Sequence, residues 1–102
     1  MVHQGEVAGI KTEVAVFQFS DRLFVAVTQN GKPGTFVEAR DTGDVNVLLG
    51  KREDLTSEIF ARSLSQRLKL KKPLLVSLSL SPEWEASNFP SLIAFVSDSV
   101  YR

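Results

Sequence analysis

The sequence predicts an α+β fold in which an antiparallel sheet packs against two helices, in the order ββββαβα. Short β-branched runs separated by turn residues fill the first half of the chain. Two segments with apolar residues at helical spacing occupy the second half, with one further apolar run between them. Helices packed on an antiparallel sheet are the natural way to bury these apolar faces. At 102 residues we expect a single domain, residues 1–102, with one hydrophobic core.

Four strands are predicted before the first helix, joined as an antiparallel meander. We expect residues 1–10, which are small and polar, to form a loose lead-in. The four strands cover residues 11–20, 22–29, 35–39 and 45–49. The second strand is almost continuously apolar, so both of its faces could be covered. Asn30-Gly31 and the polar stretch 40–44 provide the next two turns.

Two helices and a fifth strand complete the predicted fold. The first helix begins near Asp54, a suitable N-cap, and is closed at Pro73, because the residue before proline disfavours helical geometry. Its apolar stripe comprises Leu55, Ile59, Phe60, Leu64 and Leu68. A strand follows over residues 74–80. A loop or single helical turn over residues 81–88 then leads to a second helix over residues 89–101.

Charge and composition disfavour several function classes. Lys plus Arg and Asp plus Glu are equal at 12 each, whereas a nucleic-acid binder needs a basic surface. The neutral balance also leaves little charge repulsion to oppose self-association. No apolar run approaches the roughly 20 residues that span a bilayer, and no signal-peptide pattern is visible. Because cysteine is absent as well, we expect a cytoplasmic protein with access to the nucleus and no membrane partner.

Groups that could carry catalysis are scarce in the sequence. His3 is the only histidine, and there is no cysteine, so neither a general base nor a usual zinc site is expected. Asp41 and Asp44 share a turn, and Asx-type turn formation explains them better than a cation site does. The glycine-rich run 31–34 joins two strands, whereas a phosphate-binding loop leads from a strand into a helix. We therefore expect no enzyme, no cofactor and no metal.

Two further features each have two interpretations. The cluster Arg67, Lys69, Lys71 and Lys72 could compensate the dipole of the first helix or contact an acidic partner, and the sequence favours neither. Trp84 stands between two acidic residues, outside the strongly periodic segments. For Trp84, capping one edge of the core is favoured over forming part of an exposed contact surface.

Several segments resemble, in the same order, the proteasome assembly chaperone 3 family. Residues 25–37 form a strand–turn–strand that carries Val-Thr-Gln, then Gly-Lys, then Gly-Thr. The resemblance continues at residues 47–50 (VLLG) and 59–64 (IFARSL), and it covers roughly residues 11–80. The turn over residues 40–44 is shorter than the corresponding loop of some relatives. The C-terminal segment is similar only in its helical character.

The resemblance implies a β-sandwich-like antiparallel sheet of about five to six strands with two helices, and a chaperone without catalysis or cofactor. Members pair with a related protein, proteasome assembly chaperone 4, and the heterodimer helps proteasome α-subunits to form the ring of the 20S core. We expect protein contacts at exposed loops of the sheet ends, for which the candidates are Asn30, Lys32, Arg40, Asp41 and Asp44. The alternative function is a small non-catalytic adaptor or scaffold domain with an unrelated partner. Self-pairing of the isolated chain as a homodimer also stays open.

Overall fold

A computed structural model describes residues 2–29, 34–40, 44–49 and 55–100 of the chain. The elements are β1 (Val2–Val7), β2 (Ile10–Gln18), β3 (Leu23–Thr28), β4 (Thr35–Ala39), β5 (Val45–Leu49), α1 (Leu55–Leu68), β6 (Leu74–Ser79) and α2 (Phe89–Val100). A short 3₁₀ helix, Ala86–Asn88, precedes α2. The predicted α+β class, a largely antiparallel sheet with two helices, is confirmed. The predicted helix start at Asp54 lies outside the described residues.

The strands form one six-stranded sheet in the order β1-β2-β3-β6-β4-β5. The last strand, β6, lies between β3 and β4, parallel to β3 and antiparallel to β4. This arrangement corrects the predicted meander, because β3 and β4 follow each other along the chain without being neighbours in the sheet. The apolar run Leu74–Ser79 is buried over most of its length, which is why it occupies a central position and not an edge.

The strand β1 corrects the expectation of a loose lead-in over residues 1–10. It pairs with β2 from Val2, opposite Ala15, to Val7, opposite Ile10. The turn residues Ala8 and Gly9 have φ values of 53° and 80°, and a two-residue type I′ hairpin needs positive φ at both positions. Alanine is uncommon at such a position, so the usual Asn-Gly signal of a hairpin is missing from the sequence.

Both helices cover the same face of the sheet and enclose the core. The strands contribute buried residues that are paired in register, among them Val14, Val16, Val25, Val27, Val37 and Val76. The helices contribute Phe60, Ala61, Leu64, Leu68, Leu92, Ile93, Val96 and Val100. One predicted member of the α1 stripe is misplaced: Ile59 is 54% exposed, and Ala61 takes a buried position instead. The core face therefore uses every second strand residue, as a half-buried sheet requires.

Candidate protein-binding surface

The sheet face opposite the helices is apolar across its centre. Its apolar residues alternate with the core positions of their strands, and we call them the open sheet face: Val2, Ala15, Phe17, Phe24, Ala26, Phe36 and Leu75. Phe17 keeps 46% of its surface exposed and Val2 keeps 57%. Contiguous apolar residues of this kind on a protein surface mark a contact site more often than isolated ones do.

Three phenylalanines form a row across the open sheet face. The rings of Phe17 and Phe24 meet edge to face, with centroids 5.9 Å apart, and those of Phe24 and Phe36 do so at 6.3 Å. The second pair spans β6, where the small residue Ser77 lies opposite both Phe36 and Ala26. Edge-to-face packing holds aromatic rings in place, so the row is preformed before any partner binds.

Polar side chains border the open sheet face at both of its edges. On the β1–β2 side, the Gln4 side-chain amide donates a hydrogen bond of 3.0 Å to a carboxylate oxygen of Glu13. On the β4 side, the Arg40 guanidinium donates one of 3.1 Å to the carboxylate of Glu38. An apolar centre within a polar rim is the usual arrangement of a protein–protein interface.

The structure describes two of the five predicted contact residues. Arg40 and Asp44 are exposed, and the Arg40 backbone N–H donates a 2.8 Å hydrogen bond to the Asp44 carbonyl oxygen. Asn30, Lys32 and Asp41 lie outside the described residues. The described residues at the base of this turn therefore share one backbone hydrogen bond, and both are exposed.

The two predicted contact loops flank opposite ends of β4. Ala39, next to the second loop, pairs with Leu74 at the start of β6, whereas Thr35, after the first loop, pairs with Leu78. Four strand residues span about 13 Å, so Thr35 and Ala39, the described strand residues beside the two loops, are separated by about that distance. The residues of the open sheet face were not among the predicted contacts, although the unbroken apolar run of β3 already indicated that its second face would be covered.

A cavity of about 400 Å³ opens at the sheet end where β6 finishes. It is lined by Thr56, Ser57, Leu78, Leu80, Ser81, Trp84 and Phe89. Trp84 packs against the edge of the core and meets the Phe89 ring edge to face at 6.2 Å, as the predicted capping role requires. The polar side-chain groups of these residues are the hydroxyls of Thr56, Ser57 and Ser81 and the indole N–H of Trp84. His3 lies on β1, three strands away from β6.

Metal-ligand clusters and membrane-spanning helices are both absent from the described ranges. Within these ranges, no group of three or more His, Cys, Asp or Glu residues is placed to hold a metal ion. Nor does any helix described there have both the length and the apolar character needed to cross a membrane.

Comparison with known proteins identifies the family. The family model of proteasome assembly chaperone 3 matches residues 25–98, from β3 to α2. No curated protein sequence matches the chain. The fold is similar to the crystal structure of a chaperone complex for yeast 20S proteasome assembly, with a TM-score of 0.72 and 16% identity over 95% of each chain. Because the family model covers well over half of the sequence, this chain belongs to the proteasome assembly chaperone 3 family.

Proposed function

We propose that the chain is one subunit of a heterodimeric chaperone that binds proteasome α-subunits and promotes assembly of the α-ring of the 20S core. Membership of the chaperone family supports a role in proteasome assembly, without catalysis or cofactor. The open sheet face is the observation that carries the proposal of a partner chain. We place the heterodimer in the cytoplasm, with access to the nucleus.

The position of the open sheet face favours a partner with a similar sheet. The central pair β3 and β6 is parallel, and parallel strands are normally covered on both faces. Here the helices cover one face, and the row of Phe17, Phe24 and Phe36 lies on the other. Two sheets pack face to face at about 10 Å, a distance at which such rings interdigitate. A related chaperone of the same fold would supply the second sheet.

Pairing through the open sheet face leaves the loops at the sheet ends available to α-subunits. Candidate contacts are Asn30 and Lys32 on one side and Arg40, Asp41 and Asp44 on the other. An assembly chaperone must also leave before the particle is complete. Polar, exposed loop contacts suit that requirement, because exposed ion pairs contribute only about 0.2–1 kcal/mol each.

Affinity purification of the tagged chain from cell extract tests this function. Mass spectrometry of the recovered proteins should identify a second small chaperone and free α-subunits, with few mature particles. The variant Phe17→Lys should lose the second chaperone, because it places a charge at the exposed end of the apolar row. The matched control Ile59→Lys makes the same change at a similarly exposed position on α1 and should recover the chaperone as the unmodified chain does.

Two outcomes would contradict parts of the proposal. Full recovery of the second chaperone by a folded Phe17→Lys variant would move the interface away from the open sheet face. If the unmodified chain recovers neither chaperone nor α-subunits, the alternative of an adaptor with an unrelated partner would replace the proposed function. Thermal unfolding of both variants shows whether any loss is due to misfolding.

A further inference from the structure

The end of α1 is closed by its own backbone. The Lys69 N–H donates to the Gln66 carbonyl oxygen at 3.2 Å, and the Leu70 N–H donates to the Ser65 carbonyl oxygen at 3.3 Å. These two bonds form a Schellman motif, in which backbone groups satisfy the last helical carbonyls. The sequence predicted that the helix would continue to Pro73, but it ends at Leu68. The Schellman motif, and not the proline, therefore ends the helix.

Lysine occupies the position of this motif that glycine usually fills. Lys69 has a φ of 52°, in the left-handed region that side chains with a Cβ atom rarely adopt. Glycine at this position would relieve the backbone strain. Residues in strained backbone conformations are often found at functional sites. The presence of lysine in place of glycine therefore indicates a role for its side chain.

More cationic side chains lie near this end of α1 than compensation of the helix dipole requires. Arg67, Lys69, Lys71 and Lys72, which we call the basic connection, lie within six residues that contain no acidic residue. Only Arg67 belongs to the last helical turn, so compensation of the helix dipole explains one of the four. The exposed side chains of Arg67, Lys69 and Lys71 form no ion pair with any residue that the structure describes. Lys72 donates to the Phe19 carbonyl oxygen at 2.8 Å, which ties the basic connection to the β2–β3 turn.

A small apolar cavity adjoins the basic connection. It has a volume of about 140 Å³. Its walls are Leu23, Leu68, Leu70 and Val100, with Gln18 and Lys72 as the polar members. An apolar cavity of about 150 Å³ accommodates a benzene molecule, so this one can accept an aliphatic or small aromatic side chain.

We propose that the basic connection binds an acidic segment of a partner protein, with one apolar side chain of that segment in the adjoining cavity. Carboxylates on both sides of the apolar residue would meet the unpaired cations. A peptide fits better than a nucleic acid, because the chain carries no net charge and none of the described residues that line the cavity is an aromatic side chain for base stacking. This site lies at the sheet end where β6 begins and does not depend on the proposed partner of the open sheet face.

Fluorescence anisotropy with a labelled peptide tests the proposal. We would use Glu-Asp-Glu-Leu-Asp-Glu as the probe and the same peptide with serine in place of leucine as its control. Binding should weaken as salt rises from 0.05 to 0.5 M, by about tenfold, and should weaken again when serine replaces leucine. A hexamer of thymidylate that binds as tightly as the peptide would overturn the proposal, as would the absence of peptide binding at millimolar concentration.

Charge-reversal variants locate the site on the chain. The double variant Lys69→Glu/Lys71→Glu should weaken peptide binding by about tenfold or more, because two cations become anions. The control Lys11→Glu/Arg62→Glu makes the same change in net charge at exposed positions elsewhere and should shift the affinity by less than about twofold. An equal loss of peptide affinity in both double variants would show a general effect of net charge. It would contradict the proposal that the peptide binds at the basic connection.

The variant Lys69→Gly separates the role of the lysine side chain from that of the backbone. Glycine should raise Tm by about 4 °C, because it adopts a φ of 52° without strain. The same variant should weaken peptide binding by about threefold, since one cation is lost. A purely structural role would give no such loss, and a Lys69→Gly chain that binds the peptide as the unmodified chain does would remove Lys69 from the site.

Discussion

Replacement of Gly34 by alanine should destabilise the sheet where β4 meets β6. A Cβ atom at Gly34 would overlap the carbonyl carbon and oxygen of Leu78 and lie 2.7 Å from the Ser79 nitrogen. Such contacts need about 3.3 Å or more, and all three atoms belong to the backbone of a central strand. The start of β4 must therefore move away from β6. Two ladder hydrogen bonds, at about 1 kcal/mol each, and the packing around them would be weakened, for a loss of about 2–4 kcal/mol.

Urea denaturation followed by circular dichroism measures this loss. The control is Gly9→Ala, because Gly9 has a φ of 80° but no atom within 4 Å of its would-be Cβ. That variant has backbone strain alone and should lose about 1 kcal/mol. A Gly34→Ala chain as stable as Gly9→Ala would refute the reasoning, since it would mean that β4 does not approach β6 so closely.

Three further predictions concern the turn, the core and the loops. Ala8→Asn should stabilise the chain by about 0.5–1 kcal/mol in urea denaturation, because asparagine tolerates a φ of 53° better than alanine; a loss would contradict the β1–β2 turn. Phe60→Ala should lower the free energy of unfolding by about 3–5 kcal/mol, because the ring is fully buried; a loss below about 1 kcal/mol would contradict its place in the core. Lys32→Glu should weaken α-subunit capture without unfolding the chain, and Arg40→Glu makes the same charge reversal next to the other loop. Unchanged capture by Lys32→Glu would remove Lys32 from the contact site.

Elements with a strong local signal could be predicted from the sequence. The predicted strands over residues 35–39 and 45–49 coincide with β4 and β5, and the predicted second helix begins at Phe89, as α2 does. β1 could not be predicted, because its turn uses Ala8 where an asparagine would have signalled a hairpin. The insertion of β6 between β3 and β4 depends on pairing between distant segments, which no local pattern encodes.

The candidate sites were only partly accessible to sequence reasoning. The loop residues were chosen because loops at sheet ends are exposed, and the two that the structure describes, Arg40 and Asp44, are exposed. The aromatic row combines residues from three strands, and Phe24 meets Phe36 only because β6 lies between their strands with a serine at that point. The sequence could not decide whether the basic connection compensates the helix dipole, because that depends on where α1 ends. The left-handed φ of Lys69, which marks this end, has no sequence signature.

Footprinting by hydroxyl radicals, read out by mass spectrometry, tests most directly whether the open sheet face binds the partner chaperone. Phe17, on the open sheet face, and Ile59, on the helix α1, are similarly exposed in the free chain, at 46% and 54%. In the purified complex, Phe17 should lose most of its reactivity towards radicals, while the reactivity of Ile59 should stay unchanged. Full reactivity of Phe17 in the complex, or protection of Ile59 alone, would contradict the proposed interface.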